Sequence, residues 1–261
     1  MLVFVALACA PQSEVAQSDL DAAVERIDQL EAQVTALQAQ TTALQAGLDA
    51  AAATPRARVI QTDTTIAIPG DYPDVSAALA SLGDAVIASP AWVTLQVADG
   101  TYDATNAIAV DHRDGQRIAI VGNTADPSKV VLRFTGTTEG LFVVRGRALG
   151  QLAGVTIRGV TSQEGAPGVW VAESSALRCG AGVIVEGWSW AGIVADYNSS
   201  VRCDGAIARN NGGEGFLANR GSSLRARQAT ASGNAAHGFS ATGAANADVR
   251  QSEAIDNGTE T

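Results

Sequence analysis

The sequence predicts an all-β solenoid preceded by a long coiled-coil helix, and three observations predict it. Gly168-Val169, Gly192-Ile193, Gly215-Phe216 and Gly238-Phe239 open successive units 24, 23 and 23 residues apart, with Gly140-Leu141 opening a looser unit before them. A period of roughly 20–50 residues marks a solenoid, in which each unit buries its apolar face only by stacking on its neighbours. Ahead of that repeat, apolar residues recur at strict seven-residue spacing from Leu20 to Ala51, the signature of a supercoiled helix. Finally, 27 glycines, 5% aromatic residues and 46% hydrophobic residues, mostly Ala and Val, suit short β-coils with many turns better than helical pairs.

The elements follow in order. Leu2 to Ala8 is a short apolar run, and seven residues fall far below the roughly 20 needed to span a bilayer. The run resembles the hydrophobic stretch of a secretory signal. Its ending, Ala6-Leu7-Ala8-Cys9, resembles the lipobox of bacterial lipoproteins. Ala6 stands where leucine is usual and no basic residue precedes the run. The resemblance implies lipidation of Cys9, and Ala10 after it implies an outer-membrane or cell-surface address. Residues 1–9 are thus a lipoprotein-like signal segment and 10–19 a linker.

Residues 20–53 form the expected stalk. Leu20, Ile27, Val34, Thr41 and Leu48 occupy the a positions, and Ala23, Leu30, Leu37, Leu44 and Ala51 the d positions. At ~1.5 Å per residue the helix would run on the order of 50 Å. A single helix would expose this seam, so the stalk is expected to self-associate, and a trimer is the expected form. Thr41 and the alanines weaken the seam. Thr54-Pro55 ends the helix, because proline disfavours helical geometry in the residue before it.

Residues 57–261 make the head, with a cap over 57–90. Val59 to Ile68 reads as extended. Asp74 reads as an N-cap, and Val75, Ala78, Leu79 and Leu82 fall on one helical face. Such a helix would cover the open end of the stack, whose edge would otherwise invite strand addition. Val93 to Val97, the turn Ala98 to Tyr102, and Ile118 to Asn123 then alternate strand with turn. Tyr72-Pro73-Asp74-Val75 with Ala78-Leu79, followed by Val93 to Tyr102 and Ile118 to Asn123, resembles the cap and first coils of pectin-lyase-like right-handed parallel β-helices, in particular modules of phage tail spikes and bacterial surface proteins. The resemblance implies a fold and carries no catalytic residue across.

Strand alternation sorts each coil into faces. Val169, Ile193, Phe216 and Phe239 form one inward column, Leu177, Val201, Leu224 and Ala247 another, and Cys179, Cys203, Ala226 and Val249 a further one. Cys179 and Cys203 stack about 4.8 Å apart, which suits core packing and also permits a disulfide. Phe142, Trp170, Val194, Leu217 and Ser240 point outward and would make an apolar strip, a candidate interface. Asn211, Asn234 and Asn257 form an internal ladder at a turn, where Asn tolerates left-handed geometry. Trp188 takes the ladder's place in the preceding coil, and Trp188 and Trp190 are candidates to stack on sugar rings.

With a formal charge of −10 and no Lys/Arg cluster to neutralise a row of phosphates, nucleic acid is not expected as a partner. The three cysteines lack zinc-ligand spacing, and neither metal nor cofactor is expected. Glycan hydrolysis would require two carboxylates close together. The place of Asp204 is instead held by Gly180, Arg227 and Arg250 in other coils, and that of Asp196 by Ala172, Asn219 and Thr242. Asp248 and Glu214 stand alone, and His112 and His237 lie at turns. Two classes therefore remain: a non-catalytic, lipid-anchored surface spike whose head binds a glycan or protein, and a carbohydrate-active enzyme of the depolymerase type whose site assembles between chains or in further sequence.

Overall fold

The computed structural model describes residues 17–53, 58–136, 139–160 and 164–258. Cys9 lies outside them. The chain divides into two compact units, Met1–Arg56 and Ala57–Thr261.

In the first unit, helix α1 spans Gln17–Ala53. Alanine, glutamine and leucine dominate it, residues that lose little entropy in a helix. The seam residues Leu20, Ile27, Leu30, Val34, Leu37 and Leu44 are all exposed, Leu44 by 70%. Thr41, the polar residue at an a position, turns its hydroxyl back to donate to the Leu37 carbonyl at 2.9 Å, so its polarity is absorbed locally. No helix among the described residues is long and apolar enough to cross a membrane.

The second unit is a parallel β-solenoid of three long sheets, with a two-stranded parallel sheet, Val59–Ile60 beside Val86–Ile87, in its cap. The first sheet has eight strands, running from Thr64–Ile68 through Ala148–Ala153, Ala176–Cys179, Ser200–Arg202 and Ser223–Arg225 to Asn246–Asp248. The second has seven, from Gly100–Ala104 to Glu253–Ile255, and the third six, from Ile108–Val110 to Phe239–Ala241. Every pairing is parallel, and each strand lies beside its counterpart one coil away, as Val169 beside Ile193 and Ile193 beside Phe216. The inward columns read from the sequence are the core up to the last coil, where Phe239 and Val249 are part-buried and Ala247 is exposed. Leu177, Val201 and Leu224 are buried in one sheet, and Val169, Ile193 and Phe216 in another, with the Phe216 and Phe239 rings stacked at 5.0 Å.

The cap forms as its residues dictate. Helix α2, Val75–Leu82, opens where the Asp74 carboxylate accepts the Ala77 N–H at 2.8 Å, and it closes at Gly83 with φ of 47°. It buries Val75, Ala78 and Leu82. Asp71 satisfies the outer edge of the first strand, accepting the Ala67 N–H on its carboxylate and donating its own N–H to the Ala67 carbonyl. Backbone groups that could recruit a further strand are thereby occupied.

Cys179 and Cys203, for which packing alone and a covalent bond both fitted the sequence, are joined by a disulfide with the Cα atoms 4.5 Å apart. It bridges adjacent coils across 24 residues of chain. Closing a loop of this length is expected to stabilise the fold by about 3 kcal/mol, chiefly by restricting the unfolded chain. Ala fills the same column at Ala226, fully buried, so replacing both cysteines with Ala tests the bond without introducing polarity. The expected result is that loss in urea unfolding, with no change in far-ultraviolet circular dichroism.

Candidate functional site

The first sheet carries a groove on its outer face, beside a row of arginines that come one per coil. Arg178 stands beside Arg202, Arg202 beside Arg225, and Arg225 beside Asp248. Parallel strands lie about 4.8 Å apart, so three guanidinium stems rise in a row roughly 10 Å long. The row continues upstream into a β-bulge, where the pairing register shifts between Leu149 and Leu152 and the inserted residues are Gly150 and Gln151. A Cβ on Gly150 would fall 2.7 Å from the Trp92 ring, and one on Gly180 2.9 Å from the Gln151 amide nitrogen. These two glycines are therefore the room in which Trp92 and Gln151 sit. Trp92 stays 37% exposed. Trp92, Gln151, Arg178, Arg202, Asp204 and Gln228 line a hollow of about 570 Å³. A hollow of similar size, about 580 Å³, lies in the cap between residues 58–62 and Leu82, but its wall is the segment that closes the stack and repeats nothing from coil to coil.

Charge in the groove is arranged around Asp204. Arg202 Nε donates to its Oδ2 at 3.0 Å, Arg225 Nε to its Oδ1 at 3.1 Å, and the Arg227 backbone N–H to Oδ1 at 3.1 Å. Burial alone would raise the carboxyl pKa, but these hydrogen bonds and the Arg225 charge outweigh it and hold the group below the ordinary aspartate value. Asp248 in turn accepts from Arg227 and Arg250. Arg178 is exposed, and no carboxylate pairs with it among the described residues.

The reading that no Lys/Arg cluster exists is corrected here. Arg178, Arg202 and Arg225 are 24 and 23 residues apart in sequence and become neighbours only because the coil has the same period. The recurring Leu-Arg-Cys, Val-Arg-Cys and Leu-Arg-Ala triplets carried the signal. The outward partner of each inward column is the residue to inspect.

The outward residues of the third sheet are paired in register as expected, Phe142 beside Trp170, Trp170 beside Val194, and Val194 beside Leu217. They do not form an exposed strip. Val194 is fully buried and Leu217 5% exposed, in a small second cluster with Ala191 against which Trp170 and Trp190 pack. Trp190 belongs to the turn before the strand Ile193–Ala195, and folding that turn onto the sheet covers the aliphatic residues. Phe142 and Trp170 keep partial exposure, with ring centroids 5.2 Å apart.

Trp188 is likewise excluded as a surface platform. It is 1% exposed, its Nε1–H donates to the Ile157 carbonyl at 3.2 Å, and its ring lies 5.5 Å from that of Phe134. The asparagine ladder runs directly beneath it. Asn211 Oδ1 accepts the Trp188 N–H, Asn211 Nδ2 donates to Asn234 Oδ1 at 2.9 Å, and Asn234 Nδ2 donates to Asn257 Oδ1 at 2.8 Å. Left-handed backbone belongs to the preceding column, at Asn210, Gly233 and Asp256, not to the ladder itself.

Other carboxylates among the described residues serve the scaffold. Asp196 is 2% exposed and accepts from Arg220 Nη1 at 2.8 Å. Glu186 accepts from Arg158 at 2.6 Å and Arg209 at 2.7 Å, one coil to either side. Burial would raise its pKa, yet the two arginine hydrogen bonds and charges bring it below the ordinary glutamate value. A depressed carboxylate contributes stability that is present above its unfolded pKa and is lost as pH falls through the folded value. Glu186→Gln is therefore expected to lower stability at neutral pH and to flatten the acid limb of a pH series of urea midpoints. His112 is buried, accepts the Asp114 N–H at Nδ1, and has its pKa lowered chiefly by burial. No cluster of three His, Cys, Asp or Glu suited to a metal is present among the described residues.

No protein-family model matches the chain, and no curated protein matches it. Among solved structures, a pectin methylesterase from Aspergillus niger is similar, at 12% identity and a TM-score of 0.38, over 78% of this chain and 88% of that one.

Proposed function

We propose that this chain is a non-catalytic surface protein, lipid-anchored at Cys9 to a bacterial outer membrane or cell surface. Its stalk associates as a trimer, and its head binds a glycan in the first-sheet groove. The observation that carries the reading is the groove itself: an exposed Trp92 face to stack on a sugar ring, amides from Gln151 and Gln228, and a guanidinium row. Aromatic faces and planar guanidinium groups are well matched to sugars bearing oxyanions. The stalk is supported by six exposed seam residues on α1, which parallel helices would bury against one another.

The non-catalytic part rests on the state of Asp204. Among the described residues, Asp204 is the one carboxylate lining the hollow and is hydrogen-bonded to Arg202 and Arg225, whereas glycan hydrolysis uses two carboxylates close together. Titration calorimetry of the unlipidated chain against acidic and neutral polysaccharides, with the polymer recovered and sized afterwards, tests this. Binding without shortening is the expected result. Shortening would make the protein a depolymerase instead, and absence of binding would overturn the glycan reading. Light scattering on the same preparation should give three times the chain mass, and a monomer would overturn the stalk.

A further inference from the structure

We infer that Asp204 is an internal counter-anion that sets which glycans the groove accepts: chains carrying an isolated oxyanion among neutral sugars, read by Arg178, in preference to densely charged polyanions. The inference rests on the groove being a glycan site.

Of the three arginines in register, two share one acid. The Asp204 carboxylate bridges Arg202 and Arg225 and also accepts the Arg227 N–H. Its side chain is 25% exposed and lines the hollow beside Arg202, where it takes hydrogen bonds from guanidinium groups that would otherwise receive ligand charge. Asp204 offsets one of the two guanidinium charges and takes up their donors, so a second anion placed there gains less than one on Arg178 and also meets a like charge at close range. Arg178 differs. Among the described residues it has no acid partner, and it lies at the end of the row that leads to Gln151 and Trp92. An oxyanion on Arg178 therefore leaves the next sugar free to lie on the Trp92 face, while a charge on every sugar would drive the following one onto Asp204. Removing the acid releases two guanidinium groups to the ligand at once.

The oxyanion is a carboxylate or a sulfate ester, and polymers distinguish them. Binding of the full unlipidated chain would be measured against hyaluronan, with a carboxylate on alternate sugars, kappa-carrageenan, with a sulfate on alternate sugars, heparin, with several charges per sugar pair, and dextran, which is neutral. Wild type is expected to bind one or both sparsely charged polymers at least about tenfold more tightly than dextran or heparin, which corresponds to ~1.4 kcal/mol, and with a shallow salt dependence. Asp204→Asn keeps an oxygen for the Arg227 N–H and removes the charge. It should gain about tenfold in heparin affinity with a steeper salt dependence, as more counterions are released. Arg178→Ala, at an exposed position, should erase the preference for the sparsely charged polymers over dextran. If Asp204→Asn leaves heparin affinity and its salt dependence unchanged while circular dichroism shows the fold intact, or if wild type prefers heparin, the inference fails although the groove remains a glycan site. If neither protein binds any of the four polymers, the glycan reading falls and the inference with it.

Discussion

Trp188→Ala is expected to lower the stability of the head by about 3–5 kcal/mol, the range for emptying a buried Trp or Phe site. The site cannot collapse to fill the gap. A Cβ built on Gly140, Gly159 or Gly168 would come within 2.8 Å of the Trp188 side chain, so three strands or turns have given up their own side chains to admit this one. Nothing remains on those backbones to move inward when the indole is removed, and the Ile157 carbonyl loses its donor. Because solenoid coils interact mainly with their neighbours, the loss should be local at first. Hydrogen exchange should accelerate in the strands Val155–Gly159 and Val183–Glu186 before it does near the cap. Trp188→Phe should recover part of the stability, as it refills apolar volume without the N–H. A Trp188→Ala loss below about 1 kcal/mol in urea unfolding would contradict the packing described.

Asn234→Ala should follow in size, at about 3 kcal/mol, for a different reason. The Asn234 side chain donates to the Ala208 carbonyl and to Asn257, and its oxygen accepts both the backbone N–H and the Nδ2 of Asn211. Truncation takes this partner from the Asn211 backbone N–H and the Ala208 carbonyl, at about 1–3 kcal/mol each before any relaxation or entry of water, while Asn211 Nδ2 keeps the Val185 carbonyl and Asn257 Oδ1 keeps the Asn234 backbone N–H. Asn257→Ala should cost less, since among the described residues its side chain accepts from Asn234 and donates to the Ala231 carbonyl, and is part-exposed. Equal losses at the two positions in thermal or urea unfolding would mean that the ladder does not act through its neighbours.

What was legible in the sequence was whatever repeats at the coil period with the same chemistry. The inward columns, the Asn ladder and the cap helix needed only alternation, period and an N-cap. What stayed hidden were contacts that cross between unlike positions. Val194 and Leu217 alternate outward, and only the fold of the turn bearing Trp190 shows that they are covered. Trp188 interrupts the Asn column, and a residue in a turn gives no sign of which way its ring points until Gly140, Gly159 and Gly168 are seen around it. The groove combines Trp92 from one coil, a bulge residue, Gln151, from another, and Arg178 and Arg202 from the next two, and no single period links them.

The 23-residue coil has one more consequence: interior and exterior can be edited separately. Removing residues 204–226 would splice Cys203 onto Arg227, and every remaining side chain would keep its facing, because Arg227 stands in the place of Asp204. The stack would lose one storey and the surface one row of charge, while the buried columns closed up on residues of the same kind. A lineage, or an engineer, could therefore lengthen, shorten or recharge the binding face by duplicating or excising whole coils, leaving the folding problem unchanged.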